Sequence, residues 1–162
     1  MKIYIASSWK NQHAVEMMTD ALRQRGHEVR SFVEKAVCDE GRAGLEFDVN
    51  AWIDSEDGER KFQFDTDGAT QSDLVVYIGP SGTDAWAEVG AAWAAGVTIV
   101  GLWAKGEPAG LMRRMVHWGG DYREVLEYVD VKAKEDTIYR KPPKRWEDNP
   151  WCWWCTFETR RI

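Results

Sequence analysis

The sequence predicts a doubly wound α/β fold, in which helices cover both faces of a largely parallel sheet. Three observations predict it. The chain opens with a β-rich segment, a helix-periodic segment and a second β-rich segment. A near-continuous apolar run near the middle is typical of a central parallel strand that is buried on both faces. Helical and apolar segments then alternate between glycine-containing turns.

The first part of this pattern reads as strand, helix, strand. Lys2–Ala6 is apolar and predicts the first strand. Five apolar residues then recur at helical spacing: Ala14, Met17, Met18, Ala21 and Leu22. Gly26 ends this helix, and Glu28–Val33 predicts the second strand. The acidic segment Glu34–Gly58 shows weak periodicity, so we interpret it as an insertion with a short helix at about Phe47–Ile53.

The second part repeats the alternation. We predict a helix over Arg60–Thr70 and the central strand over Asp73–Ile78. Thr83 can cap a helix that continues to about Ala95. Val97–Leu102 predicts the next strand. Two further helical segments are predicted: Ala109–Val116 and Tyr122–Tyr128.

These elements predict a three-layer, flavodoxin-like or Rossmann-like domain with a parallel sheet of four or five strands. We expect the domain to cover residues 1–131. The remaining residues, 132–162, form a polar and then Trp-rich tail, which holds four of the ten tryptophans. We expect this tail to pack on the domain or on a neighbouring subunit, in a homodimer or larger homo-oligomer.

The charge and the cysteines exclude several classes of protein. The net charge is −6, and Glu34–Arg60 alone holds nine acids and three bases. This balance excludes binding to polymeric nucleic acid, which requires a basic surface. No apolar run approaches the roughly 20 residues that span a bilayer. Three cysteines are too few for a disulfide scaffold, and Cys152 and Cys155 lack a second ligand pair, so we expect a cytoplasmic protein without metal or cofactor.

A ligand crevice is expected where the strand order reverses, beyond the carboxyl ends of the strands. With the first and third strands adjacent, the loops Ser7–Asn11 and Gly79–Asp84 flank this crevice. The first loop supplies hydroxyl, amide and ammonium groups from Ser7, Ser8, Asn11 and Lys10. Both loops lead into helix N-termini, which favour anions. The alternative is that the two serines only cap the first helix.

Glu88 is the strongest candidate for chemistry. It lies one turn inside a helix of small and apolar residues, where a carboxylate is costly unless it is exposed or used. Asp84 is four residues earlier and shares its face, so repulsion favours a proton on the pair. Two carboxylates at a crevice are typical of glycosidic chemistry. The alternative is a helix-start Asp84 and a surface Glu88.

The chain resembles the nucleoside 2-deoxyribosyltransferase family, which includes the related 2′-deoxynucleoside 5′-monophosphate N-hydrolases. The resemblance covers about residues 1–105. It rests on three motifs in order, together with a helix that contains Asp65: Lys2-Ile3-Tyr4-Ile5-Ala6, Ser72-Asp73-Leu74-Val75-Val76, and Gly82-Thr83 followed by Glu88-Val89-Gly90-Ala91-Ala92. It implies cleavage or exchange of the base of a deoxynucleoside or its monophosphate, without a cofactor.

The resemblance also implies roles for individual residues. Glu88 matches the family nucleophile that attacks C1′, and Asp65 matches the carboxylate that contacts the base and assists its proton transfer. The family usually places an Asp where this chain has Gly82. Either Asp84 is its substitute, or this turn is rebuilt for another substrate. Small hydroxyl residues hold a 5′-phosphate in the hydrolases. Here these would be Ser81 and Thr83, together with the first loop: Ser7, Ser8 and Lys10.

Two other functions remain open from the sequence. One is a TIR-like NAD glycohydrolase, which shares the topology and a glutamate on a helix. The other is a non-catalytic module that binds or senses nucleotides, which the glycine at position 82 and the acidic insertion favour. Trp151–Trp154 would form an interface or a lid over the base, or would pack on the sheet of their own domain.

Overall fold

The computed structural model describes residues 1–33, 49–107 and 109–139, whose strands form one five-stranded parallel sheet. The strand order is β2-β1-β3-β4-β5. The strands have these bounds: β1 Lys2–Ala6, β2 Glu28–Ser31, β3 Leu74–Ile78, β4 Thr98–Leu102 and β5 His117–Gly119. The helices are α1 Gln12–Gln24, α2 Val49–Ile53, α3 Glu56–Gln71, α4 Thr83–Ala94 and α5 Tyr122–Tyr139. The predicted three-layer, flavodoxin-like class is therefore confirmed.

Each face of the sheet buries its own hydrophobic core. Side chains alternate between the two faces of a strand, so Ile3 and Ile5 of β1 join the core under α1 and α5. Tyr4 and Ala6 point the other way, into the core that α3 and α4 cover. The members that α3 and α4 contribute to this second core are small: Ala69, Ala85, Val89 and Ala92. Tyr4 is therefore directed at the helices that carry Asp65 and Glu88.

The strand order reverses between β1 and β3, which pair directly. Ile5 lies opposite Val76, and Ala6 lies opposite Tyr77. The chain crosses to β2 on one side of this pair and to β4 on the other. The loops that follow β1 and β3 therefore border one crevice, as the sequence predicted.

The helix α3 begins four residues before the predicted Arg60. Ser55 caps it, because its Oγ accepts a hydrogen bond of 3.1 Å from the backbone N–H of Gly58. Three acids follow in its first turn, where the helix dipole favours them. Part of the predicted acidic insertion is therefore helical. Residues 34–48 of that insertion lie outside the described residues.

The C-terminal part differs from the prediction in three ways. The helix predicted at Ala109–Val116 is a 3-10 turn, Leu111–Met115, and a fifth strand of only three residues follows it. A strand this short leaves no alternating pattern in the sequence. The last helix extends to Tyr139 instead of ending at Tyr128.

Two compact units divide the chain, Met1–Val129 and Asp130–Ile162. The structure describes residues 130–139 of the second unit, and these form the last turns of α5. The Trp-rich segment and its two cysteines lie outside the described residues, so their predicted roles remain predictions. Within the described part of the chain, no helix is long and apolar enough to cross a bilayer.

Candidate active site

A cavity of about 520 Å³ opens at the crevice between the loops after β1 and β3. Its walls come from these loops, from the segment after β2 and from three helices: Ser7, Ser8, Trp9, Phe32, Trp52, Lys61, Asp65, Gly82, Thr83, Asp84, Ala85 and Glu88. A second cavity of about 590 Å³ continues between α2, α3 and α4. The two cavities share Trp52 and four charged residues: Lys61, Asp65, Asp84 and Glu88. The charged groups therefore lie where the cavities meet.

Tyr4 brings a hydroxyl to the floor of this site. Its side chain is fully buried, and its hydroxyl donates to Asp65 Oδ1 over 3.1 Å. The ring lies under Gly68 of α3, where a Cβ would come within 2.4 Å of Tyr4 Cδ2. Burial and then the charges of Glu88 and Asp65 raise the pKa of Tyr4 far above its ordinary range. Tyr4 is therefore a fixed hydrogen-bond donor at neutral pH.

Lys61 lies one turn before Asp65 on α3 and pairs with it. The distances from Lys61 Nζ to Asp65 Oδ1 and Oδ2 are 2.7 and 2.5 Å. Both side chains are largely buried, with 16% and 19% of their surface exposed. The ammonium also lies over two aromatic rings, 5.6 Å from the centroid of Phe32 and 5.7 Å from that of Phe64. Asp65 therefore accepts hydrogen bonds from two side chains.

Glu88 faces the same cavity from α4. Its Oε2 is buried and has no hydrogen-bond partner among the described residues. Burial raises the pKa of Glu88 to about 8, and the charge of Asp65 adds to this effect. Hydrogen bonding with Tyr4 and the charge of Lys61 act in the opposite direction. A carboxyl with a buried, unpartnered oxygen and a raised pKa is typical of a functional group that engages a ligand.

Two polar side chains of the loop after β1 form hydrogen bonds to other protein groups, mainly at the end of β3. Ser7 Oγ donates to the carbonyl oxygen of Ile78 over 2.7 Å. The Asn11 amide donates to Ser7 Oγ, to the Ile78 carbonyl and to the Pro80 carbonyl over 3.1, 3.1 and 2.9 Å. Asn11 therefore ties this loop to the end of β3 and does not line the cavity. Lys10 is exposed and also lies outside the cavity wall.

Ser8 differs from its neighbours in this loop. It lines the cavity, and its buried Oγ has no hydrogen-bond partner among the described residues. It does not cap a helix through its side chain, since the 3-10 turn that follows it shows no such bond. The alternative that Ser8 serves as a helix cap is therefore wrong.

The start of α4 forms another wall. Gly82 is the N-cap residue, with φ −95° and ψ −167°, so the predicted cap at Thr83 is wrong. Thr83 is the first helical residue, and its hydroxyl donates to Asp84 Oδ1 over 3.3 Å. No side chain caps this helix, so its first N–H groups are available to an anion. Asp84 is exposed but lines both cavities.

Ser81 belongs to a neighbouring polar cluster instead of the cavity. Its Oγ lies 2.7 Å from the hydroxyl of Tyr77, which also donates to Glu107 at 2.9 Å. Trp86 Nε1 donates to the same carboxylate over 3.1 Å. Burial, together with Glu107, raises the pKa of Tyr77 to about 12, with Ser81 opposing. This cluster ties the turn before α4 to the loop after β4.

The structure thus brings together most of the predicted residues and adds others. Lining the cavity as predicted are Glu88, Asp65, Asp84, Ser7, Ser8, Gly82 and Thr83. Sequence reasoning missed Tyr4, Lys61 and the aromatic wall of Trp9, Phe32 and Trp52. The alternation of β1 and the four-residue spacing of Lys61 and Asp65 are the signals that would have found the first two. Across the described residues, no group of three or more His, Cys, Asp or Glu side chains is arranged to hold a metal ion.

The fold and the cavity define a flavodoxin-like α/β protein with a carboxylate-lined crevice at the switch point of its sheet. Among solved structures of this fold is a 2-deoxyribosyltransferase from Bacillus psychrosaccharolyticus. It is 23% identical, with a TM-score of 0.60, and the match covers 77% of this chain and 90% of that chain. The CMP N-glycosidase BcmB of Clostridium botulinum is 22% identical, with a TM-score of 0.52, covering 81% and 99%.

The predicted resemblance is confirmed at the level of the fold by these structures. No protein-family model matches the sequence, and a comparison with curated protein sequences finds no match.

Proposed function

We propose that this protein breaks the N-glycosidic bond of a 2′-deoxynucleoside or its 5′-monophosphate and passes the sugar to water or to a second base. The observation that carries the proposal is the meeting of Glu88 and Asp65 at the Tyr4 hydroxyl, with Glu88 Oε2 buried and unpartnered in the cavity. The names of the two solved structures, a 2-deoxyribosyltransferase and a CMP N-glycosidase, support the same chemistry.

In this mechanism Glu88 is the nucleophile. Its carboxylate attacks C1′, the C1′–N bond breaks, and the base leaves with the bonding electron pair. The sugar is then held as an ester of Glu88 until water or another base attacks the same carbon. The attacking form is the ionised carboxylate, which at a pKa of about 8 is the minor form at neutral pH and gains population as the pH rises.

The cavity walls support a nucleotide as the ligand. Trp9 packs edge-to-face on Phe32, with 5.1 Å between ring centroids, and Trp52 lies on the same wall. Aromatic side chains of this kind stack on a base. The uncapped start of α4 and the unpaired Ser8 hydroxyl would receive a 5′-phosphate.

A base-release assay tests this function. Purified protein is incubated with deoxynucleosides, their monophosphates, ribonucleosides and NAD, with and without an added base, and products are separated by chromatography. We expect Glu88→Gln to lower base release by about 1000-fold or more, because no nucleophile remains. The matched control is Glu127→Gln, which replaces an exposed glutamate of α5 and should leave the rate unchanged.

Three other results of this assay would contradict the proposal. Nicotinamide release from NAD alone would identify a TIR-like glycohydrolase. Nucleotide binding without any base release would identify a non-catalytic binding module. Full activity of the Glu88→Gln variant would exclude Glu88 as the nucleophile.

A further inference from the structure

Lys61 is a cation placed among the carboxylates of the cavity. It is the only basic residue among the described residues that line either cavity, and it lines both. Its side chain is 16% exposed, and its ammonium lies between the rings of Phe32 and Phe64. Exposed ion pairs are seldom held in one geometry, so the burial and ring contacts of this ammonium distinguish it from a surface ion pair.

Asp65 is already used as an acceptor. Its Oδ1 accepts from the Tyr4 hydroxyl, and its two oxygens accept from Lys61 Nζ. A carboxylate whose two oxygens both accept hydrogen bonds orients its donors. The Tyr4 hydroxyl is also engaged, since it donates to Asp65 and its hydrogen bonding acts on Glu88.

The Lys61 ammonium retains a donor that these contacts do not use. An ammonium has three N–H groups, and the two Asp65 oxygens account for two of them. The third remains for a ligand in a cavity that also contains Glu88. Lys61 and Glu88 are close enough for the lysine charge to act on the carboxyl.

We propose that Lys61 is the acid that protonates the departing base, with Asp65 holding its ammonium in place. This inference rests on the proposed function. As Glu88 bonds to C1′ and the C1′–N bond breaks, the electron pair passes to the base, and one Lys61 N–H proton transfers to the nitrogen or oxygen that gains negative charge. Lys61 is then a neutral amine. It regains a proton from the water or base that next attacks C1′.

The leaving group provides the test. A matched pair of substrates is 2′-deoxyguanosine 5′-monophosphate and its N7-methyl derivative, whose base departs as a neutral molecule without a proton. For a pyrimidine-specific protein the pair is 2′-deoxyuridine 5′-monophosphate and its 5-fluoro derivative, which has the better leaving group. The variants are Lys61→Met and Lys61→Arg, with the exposed Lys105→Met as the control.

We expect both Lys61 variants to lose about 100-fold or more in kcat on the unmodified substrate, as for removal of a general acid. With the activated substrate the loss should fall below about 10-fold, because the N7-methyl base needs no proton and the 5-fluoro base depends less on one. The arginine variant separates charge from proton transfer, since a guanidinium can pair with Asp65 but does not release a proton. Intrinsic tryptophan fluorescence would establish that each variant is folded.

Equal losses on both substrates, or no loss on either, would overturn the role of Lys61 while leaving Glu88-dependent base release intact. An arginine variant with wild-type activity on the unmodified substrate would also overturn it, because charge alone would then suffice. If the wild-type protein released no base from either member of the pair, the proposed function itself would fail.

Discussion

The replacement of Glu88 by glutamine is expected to change how the stability of the protein depends on pH. The pKa of Glu88 is about 8 in the folded protein, above its ordinary value of 4.5. Between these two values the folded protein binds more protons at this site than the unfolded chain does. The free energy of unfolding therefore falls as the pH rises from about 4.5 to about 8.

The structure gives the size of this effect. The difference between 4.5 and about 8 corresponds to about 5 kcal/mol, because one pKa unit is worth about 1.4 kcal/mol. Glu88 lines an open cavity, so contact with water lowers the expected value to about 2–3 kcal/mol. Glutamine has a similar shape and no charge. It should therefore come close to the wild type at about pH 4 and be more stable than the wild type by about 2–3 kcal/mol at about pH 9.

Urea denaturation followed by tryptophan fluorescence measures this difference. The free energies of unfolding of the wild type and Glu88→Gln are compared at about pH 4, 7 and 9. Glu127→Gln serves as the control, because an exposed carboxylate has similar surroundings in the folded and unfolded chain. Parallel pH profiles of the wild type and Glu88→Gln would contradict a raised pKa of Glu88 in the folded protein.

Two destabilising substitutions and one contrasting substitution test the supports of the site. Gly68→Ala would place a Cβ 2.4 Å from the Tyr4 ring and should lower the free energy of unfolding by about 1–3 kcal/mol, measured by thermal or urea unfolding. Gly90→Ala has open space around its Cβ and should stabilise α4 by up to about 1 kcal/mol. Asn11→Ala leaves the Ile78 and Pro80 carbonyls without this donor and should cost about 1–3 kcal/mol. A cost below about 0.5 kcal/mol for either destabilising change would contradict the assigned contact.

The fold was predictable because its signals are local and strong. Buried parallel strands appear in the sequence as apolar runs such as Leu74–Ile78. The helices between them are marked by apolar residues at helical spacing and by the glycines that end them. The reversal of strand order then followed from the topology and located the crevice. The short strand His117–Gly119 was missed because three residues at a sheet edge carry no period.

The candidate site was predictable in part, for a different reason. Glu88 stood out because a carboxylate among small residues is unusual in sequence. Tyr4 and Lys61 did not stand out, because a tyrosine in a strand and a lysine in a helix are ordinary. The hydrogen bond from Tyr4 to Asp65 depends on how β1 packs under α3, which the alternation of β1 alone does not specify. Lys61 precedes Asp65 by four residues on the same helix, so that pair was open to sequence reasoning. Asn11 was expected at the ligand, but its amide donates hydrogen bonds to the Ile78 and Pro80 carbonyls, which the pairing of β1 with β3 brings near it.

The division of the cavity between helices and loops has a consequence for how the protein would evolve. Asp65 and Glu88 lie within α3 and α4, and the Tyr4 hydroxyl from the central sheet meets them from below. The aromatic ring of Trp9 and the hydroxyl of Ser8 are carried by a connection outside that frame. Under the proposed function, substitutions in the connection would alter which base or sugar fits while the two carboxyls keep their spacing. Ligand preference could then change through the connection, while the carboxyls on the helices stay the same.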